Sequence, residues 1–246
     1  MSITVELKMV LKGLLARKGR SFLTILGIVI GVAGVIIIIA LGAGAQSLVL
    51  GQINKLGSNI VGVLPGKSNE NGPPAAVFGV QITTLTLADA VAMRDKTRIP
   101  HLVAVAPTAQ GNGTVTWRNE SVDTKYVGTE STYIEVQNVE LEDGRFFDAR
   151  ESIGANVIVL GYDVKQQLFG DQPAIGEVVK IKSVPFEVIG VSKKQGTVAF
   201  QNQDDLVYIP LSIAQQQLLG IRHLQFIRAK VDSSENIPST MADITQ

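Results

Sequence analysis

The chain has 246 residues, with 22 Lys+Arg against 22 Asp+Glu and a formal net charge of +0. That zero hides a division: residues 1–54 carry Lys8, Lys12, Arg17, Lys18 and Arg20 against Glu6 alone, a net +4, so residues 55–246 carry −4. A neutral-to-acidic bulk leaves no nucleic-acid footprint, and the lack of cysteine (Cys 0) excludes disulfides and thiolate metal sites while fitting an oxidising compartment.

Residues 3–16 read ITVELKMVLKGLLA, with Val5, Met9, Leu11 and Leu15 near helical spacing. They form either an amphipathic helix on the inner membrane face, with Lys8, Lys12, Arg17, Lys18 and Arg20 against anionic lipid headgroups, or a basic flank that only fixes topology. From Phe22 to Leu41 the chain reads FLTILGIVIGVAGVIIIIAL, twenty residues without a formal charge, fourteen of them Ile, Leu, Val or Phe. As a helix this run spans roughly 30 Å, the hydrocarbon thickness of a bilayer. Its apolar residues favour insertion by roughly 4 to 8 kcal/mol, enough to outweigh Thr24 and three glycines. A buried strand would be shorter. A cleaved signal peptide, with Ala43-Gly44-Ala45 as the cleavage site, would have a shorter apolar core. The run therefore predicts a retained transmembrane helix with its basic end in the cytoplasm and residues 55–246 outside. Gly27, Gly31 and Gly34 lie at GxxxG-like spacing, which either lets a second helix approach closely or reflects the ordinary frequency of glycine in membrane helices.

The segment GAGAQSLVLGQINKLGSN keeps apolar residues at Leu48, Leu50, Ile53 and Leu56, so the helix is expected to continue as a stalk that Gly57 stops. Ile60–Leu64 predicts a short strand, and PGKSNENGPPAAVFG a mobile loop. Thr86 with Asp89 three residues on reads as the start of a short helix through Met93 and Arg94. Residues 101–127 predict β structure, broken at GNG, with a hairpin across Arg118-Asn119-Glu120. Thr129 or Ser131 would cap a short helix through STYIEV, followed by a loop over LEDGRFF, residues 141–147. Strands follow at Asn156–Leu160, Val178–Ile181, Phe186–Val191, Leu206–Ile209 and Leu224–Val231. Between them lie the helices YDVKQQLF, entered at Gly161 and closed by Gly170, and Leu211–Leu219, closed by Gly220. Asn236-Ile237-Pro238 opens a last helix. No C-cap or hydrophobic partner follows it before Gln246, which reads as a protein cut before its natural end. The fold class is α+β: one N-terminal transmembrane helix, then an extracytoplasmic domain of many short strands.

Little in the chain carries chemistry. Gly62-Val-Leu-Pro-Gly66-Lys67-Ser68 has three residues between its glycines where a P-loop needs four, with Pro65 inside. His101 and His223 have no ligand-spaced partner and read as surface or strand-end residues. Glu140, Glu142, Asp143, Asp148 and Glu151 crowd the loops around GRFF. Paired carboxylates can run acid/base chemistry, but loops are acidic because they are wet, and Arg145 reads as a structural partner for one of these acids. Trp117 and Tyr126 read as core residues more readily than as a partner surface. No catalytic, cofactor-binding or metal-ligating set emerges.

The basic start with RSFLTILGIVIGVAGVI, then GAGAQSLVLGQINKLGSN, TLTLADAVAMRD, VAVAPTAQGNGTV, VGTESTYIEVQNVELEDGRFF, NVIVLGYDVKQQLFG, PAIGEVVKIKSVPFEVIGV and DDLVYIPLSIAQQQL occur in order over almost the whole chain. Together they resemble the permease subunits of macrolide-exporter-type ABC transporters, the MacB-like family with an FtsX-like membrane part. The resemblance implies residues 1–20 as a cytoplasmic segment, 21–54 as membrane helix and stalk, and 55–246 as a periplasmic core domain. It further implies two lobes, an α+β membrane-proximal one from about 55–105 plus 204–246 and a β-rich distal one from about 106–203. The partners it implies are a cytoplasmic ABC ATPase, a second permease copy, a periplasmic adaptor and membrane lipid, and the location is the cell inner membrane. With no ATPase domain ahead of Met1, the ATPase is expected on a separate chain. Three further membrane helices are expected beyond Gln246, so this chain alone should not transport. The rival reading is a signal-anchored binding or sensor module that acts without an ATPase.

Overall fold

The computed structural model describes residues 18–56, 59–66, 82–198 and 201–245. The expected amphipathic segment 3–16, the stop at Gly57 and most of the Pro/Gly/Asn loop lie outside them. The chain divides into two units, residues 1–51 and 52–246.

The first unit is built on α1, Lys18–Leu56, 39 residues of unbroken helix whose last turns belong to the second unit. Within α1 the stretch Phe22–Gln46 is long and apolar enough to cross a membrane, and none of it is buried against the protein. Its apolar residues run round the whole helix, so hydrophobicity points to no single face, as a lipid-facing helix requires.

The second unit is an α+β domain. Its strands, in chain order, are β1 (Ile60–Val63), β2 (Leu102–Trp117), β3 (Glu120–Thr129), β4 (Leu141–Gly144), β5 (Val157–Leu160), β6 (Val178–Ile181), β7 (Val184–Ser192), β8 (Thr197–Val198), β9 (Gln201–Asn202), β10 (Leu206–Pro210) and β11 (Phe226–Val231). The helices are α2 (Leu87–Met93), α3 (Tyr133–Gln137), α4 (Tyr162–Phe169), α5 (Leu211–Ile213) and α6 (Ile237–Ile244).

β2 is long enough to serve two arrangements. Its first half pairs with β11, which carries β1 on its other side. Its second half pairs with β3, and Val115 and Thr116 pair with Ile181 and Lys180 of β6. β3 then pairs with β10, β10 with β5, β5 with β7 and β7 with β6. These six strands close on themselves, so this part of the domain is a small barrel without free edges inside the ring. β4 adds to the outside of the ring through β7.

The alternation of each strand explains where the apolar mass goes. Val115, Trp117, Val122, Tyr126, Ile158, Leu160, Val179, Ile181, Phe186, Val207 and Ile209 form one buried cluster with Val164, Leu168 and Phe169 of α4. The opposite faces of the same strands supply Val127, Val159, Ile189, Leu206 and Tyr208, covered by Tyr133 and Val136 of α3 and by Phe146 and Phe147. A third cluster joins Val61, Leu102, Val105, Ile227, Ala229 and Val231 to Ala90 and Met93 of α2, with Ile237 and Ile244 of α6 packed against it.

Several expectations hold in detail. The Asp89 carboxylate accepts from the Thr86 backbone N–H at 2.7 Å and from its hydroxyl at 2.8 Å, fixing the start of α2. The hairpin turns at Arg118-Asn119, with Trp117 opposite Glu120. Gly161 precedes α4 and Gly170, at φ 54°, follows it; Gly220 takes φ 65° at the end of the 211–219 helix.

Others need correction. The GNG stretch does not break the strand: β2 runs uninterrupted from Leu102 to Trp117. A Cβ on Gly111 would stand 2.5 Å from the Tyr126 hydroxyl oxygen, and one on Gly113 would stand 3.2 Å from its ring. These glycines make room for a buried ring rather than a turn. Residues 141–144 of the expected loop are the edge strand β4, whose register slips between Leu141 and Asp143; its charges suit an edge. The cap of α3 is neither Thr129 nor Ser131. Thr132 holds that position, but its hydroxyl donates to the Val105 carbonyl at 2.7 Å, and the Thr129 hydroxyl donates to that of Pro107. The helix from Leu211 changes to π-helical over Ala214–Leu219.

Candidate functional site: the apolar helix and a polar notch in the barrel

Gly27, Gly31 and Gly34 all lie on α1, and a Cβ added at any of them would meet nothing within 4 Å. Space for a close-packed neighbour is thus present along this helix, and no neighbour comes from the described residues. Lys18 and Arg20 fall in the first turn of α1, whereas Lys8, Lys12 and Arg17 lie outside the described residues.

Several of the candidate chemical residues are engaged in hydrogen bonds and ion pairs of the fold. His101 sits at the start of β2 with Nδ1 2.9 Å from an Asp232 carboxylate oxygen, both side chains partly exposed. The Asn236 amide, followed by His101, holds the Asp232 carboxyl below its ordinary value. His223 is far from His101 in sequence; its backbone carbonyl accepts from the Gln215 side chain, and its ring Nε2 is buried without a hydrogen-bond partner. Among the described residues, no group of three or more His, Cys, Asp or Glu is placed to hold a metal ion.

Two of the loop acids, Glu140 and Glu151, form ion pairs. Arg145 donates through both terminal nitrogens to Glu151, at 2.6 and 2.7 Å, and this fork holds the Glu151 carboxyl down at about 2. Asp148 accepts from the backbone N–H groups of Arg150 and Glu151, closing the turn. Glu140 pairs with Lys193 at 2.8 Å, and the lysine lowers its pKa. Trp117 and Tyr126 are both buried, the indole N–H donating to Glu177 at 2.9 Å and its ring lying 4.2 Å from that of Phe169.

One polar feature escaped the sequence. β10 begins beside the middle of β3, with Leu206 opposite Lys125, and β3 runs on past it. In the resulting notch lies an open pocket of about 710 Å³ whose lining includes Asn112, Asp123, Thr124, Lys125, Asn202 and Asp205. The segment that leads into β10 is tied down by hydrogen bonds. The buried Asp204 carboxylate accepts from the backbone N–H groups of Gln195 and Gly196 at 2.7 and 2.8 Å, and the Asn202 amide bridges the Asp204 backbone N–H and the Asp163 carboxylate. The lining residues come from three separate segments with no motif spacing; only the Asp204-Asp205 pair ahead of LVYIP could have drawn attention.

The model of the MacB-like periplasmic core domain matches residues 21–246. A macrolide export ATP-binding/permease protein MacB from Chlorobaculum tepidum is 37% identical over 231 residues, covering 92% of this chain and 35% of the relative. The MacB protein of Bordetella avium is 36% identical over 243 residues, covering 98% of this chain and 36% of the relative. The chain thus spans about a third of the length of these curated relatives. Among solved structures, the periplasmic region of MacB from Actinobacillus actinomycetemcomitans superposes with a TM-score of 0.63 at 21% identity, over 78% of this chain and 84% of that one. The extracellular domain of the noncanonic ABC-type transporter YknZ from Gram-positive bacteria gives 0.59 at 21% identity, over 74% and 88%. One apolar N-terminal helix, an α+β domain with the fold of the MacB periplasmic region, and a family match over residues 21–246 lead to one conclusion: the chain belongs to the MacB-like periplasmic core domain family.

Proposed function

We propose that this chain is the anchor and outer domain of an ABC transporter permease subunit. ATP hydrolysis by a cytoplasmic ATPase moves the outer domain, which acts on cargo being exported or extracted from the membrane. The observation that carries this reading is the unbroken α1: 39 residues, of which Phe22–Gln46 suit the bilayer while the helix continues to Leu56. A rigid helix transmits displacement, whereas a flexible tether dissipates it. The net +4 of residues 1–54 favours a cytoplasmic N-terminus, which puts residues 55–246 outside the inner membrane.

Within this reading, Gly27, Gly31 and Gly34 receive a neighbouring membrane helix, either from the rest of the permease or from a second copy in a dimer. The basic residues Lys8, Lys12, Arg17, Lys18 and Arg20 meet anionic lipid, and a periplasmic adaptor engages the outer domain. The cluster around β1, β11, α2 and α6 supports a membrane-proximal lobe, and the barrel a distal one. β10 pairs with β3 and β5, so we assign it to the barrel and shift that boundary from 204 to about 210.

The test is a Gly/Ser linker inserted after Gln52 in the full-length permease, assayed with its ATPase in vesicles. Transport is expected to be lost while membrane insertion and ATP hydrolysis persist. Undiminished transport would refute coupling through the helix and favour an anchored binding module.

A further inference from the structure

We infer that the free edge of β1 takes up an extended segment of a protein partner that carries acidic residues at alternate positions. Among the described residues β1 pairs with β11 alone, and it stands at one end of the sheet with β4 at the other. The Asn59 carbonyl accepts from the Val231 N–H at 2.8 Å. The alternation of an antiparallel ladder therefore turns the N–H and C=O groups of Val61 toward β11 and those of Ile60 and Gly62 out to the edge. The two edges are built differently. β4 carries Glu142 and Asp143 and a register slip, devices that keep a strand from pairing further. β1, IVGV, has no charge, no proline and an unbroken register, and only its length of four residues limits it.

The face beside that edge sets the chemistry of the partner. Ile60 lies opposite Lys230 and Gly62 opposite Arg228, so these four share the outer face of the sheet, while Val61, Ile227 and Ala229 take the buried one. Arg228 lies over the Phe226 ring, 4.7 Å from its centroid, and donates to the Tyr133 hydroxyl at 2.9 Å. Lys230 donates to the Glu135 backbone carbonyl and to the Asn138 side-chain oxygen, both at 3.0 Å. All these partners are neutral, and no carboxylate among the described residues forms an ion pair with either cation. None of their nitrogens is sealed from solvent without a partner, so the unused donors stay open. Gly62 leaves the way clear, since a Cβ there would meet nothing within 4 Å. A strand added to β1 runs two strand spacings, about 10 Å, from β11, a gap that Arg228 and a glutamate side chain close over Gly62. Cations two residues apart on one face match carboxylates two residues apart on the added strand. A second copy's β1 has no acid and would leave both cations unpaired.

The probe is a fluorescein-labelled peptide, Thr-Val-Glu-Val-Glu-Val, titrated by anisotropy into the full chain in detergent with no ATPase present, so that the outcome is separate from the coupling proposal. The control peptide has lysine in place of both glutamates. Saturable binding of the acidic peptide is expected, with the basic one at least about tenfold weaker, the scale of a lost charge-assisted hydrogen bond. Two more acidic peptides carry N-methyl groups on one or the other alternate set of backbone nitrogens. The set that faces β1 should cost about tenfold or more, and the set that faces away much less. Gly62→Pro removes an N–H that no ladder bond uses, a change that an edge strand tolerates; it should weaken the acidic peptide about tenfold or more. Lys230→Gln should weaken it about two- to fivefold, as for a partly exposed charge pair. No saturable binding, equal binding of the acidic and basic peptides, or unchanged affinity in Gly62→Pro would overturn the assignment. So would self-association of the chain that Gly62→Pro abolishes, which gives the edge to a second copy. If Gly62→Pro loses the wild-type circular dichroism spectrum, the two N-methylated peptides decide: unequal losses support strand addition and equal losses overturn it.

Discussion

Gly128 sits on β3 where the helix that follows β10 presses closest. A Cβ built there would run into the methyl of Ala214 and would stand 3.1 Å from the Ala109 backbone carbonyl oxygen. Ala214 is fully buried, so it has nowhere to retreat. Gly128→Ala is therefore expected to destabilise by about 1–3 kcal/mol, the cost of overpacking a dense core. At about 2–4 °C per kcal/mol this is a drop of roughly 2–12 °C in Tm. Ala214→Gly alone should cost about 1 kcal/mol, from helix propensity. The double variant should cost less than the sum by about 1 kcal/mol or more, because the second change removes the atom that the first one strikes. Urea unfolding can be followed through Trp117, the only tryptophan, whose ring lies in the barrel core. Gly62→Ala serves as the control, since a Cβ there meets nothing within 4 Å and should change stability little. Strict additivity of Gly128→Ala and Ala214→Gly would refute the claimed close approach of strand and helix.

Other consequences follow from the same packing and charge. Glu151 has its carboxyl lowered from 4.5 to about 2 by the Arg145 fork, so its stabilisation is complete above pH 4.5 and fades as pH falls from there towards about 2. The sign follows because the unfolded chain binds the proton more readily. Glu151→Gln should then cost about 1 kcal/mol at pH 7, discounted because Arg145 is more than half exposed. The difference from wild type should shrink when unfolding is repeated at pH 3; a constant difference would contradict it. Phe186 is fully buried inside the barrel, so Phe186→Ala should cost about 3–5 kcal/mol. Ile153→Ala, at a residue 78% exposed, should stay within about 0.5 kcal/mol. Similar losses at both positions would contradict the assignment of the core.

What the sequence discloses is what short-range physics decides. The apolar run of α1, the Thr86–Asp89 start of α2, the hairpin at Arg118-Asn119 and the Gly170 and Gly220 stops each depend on residues a few positions apart. Long-range pairing is not disclosed. Nothing near Val115 says that it will meet Ile181 and close a barrel, and Gly111-Asn112-Gly113 carries turn composition although its purpose is to admit the ring of Tyr126. β4 reads as a loop because an edge strand is permitted the charges that a central one is not. The π-helical turn at Ala214–Leu219 has no local signature. The Asp205–Thr124 notch depends on where a parallel strand begins, a choice made by the whole barrel.

The central claim is that α1 holds the folded domain outside the membrane with its basic end within. The chain has no cysteine, so single substitutions report position without background. In intact cells, Glu142→Cys, exposed on β4, should react with a membrane-impermeant maleimide, whereas Ser2→Cys should react only after the membrane is permeabilised. Labelling of Ser2→Cys in intact cells, with Glu142→Cys protected until lysis, would contradict the account.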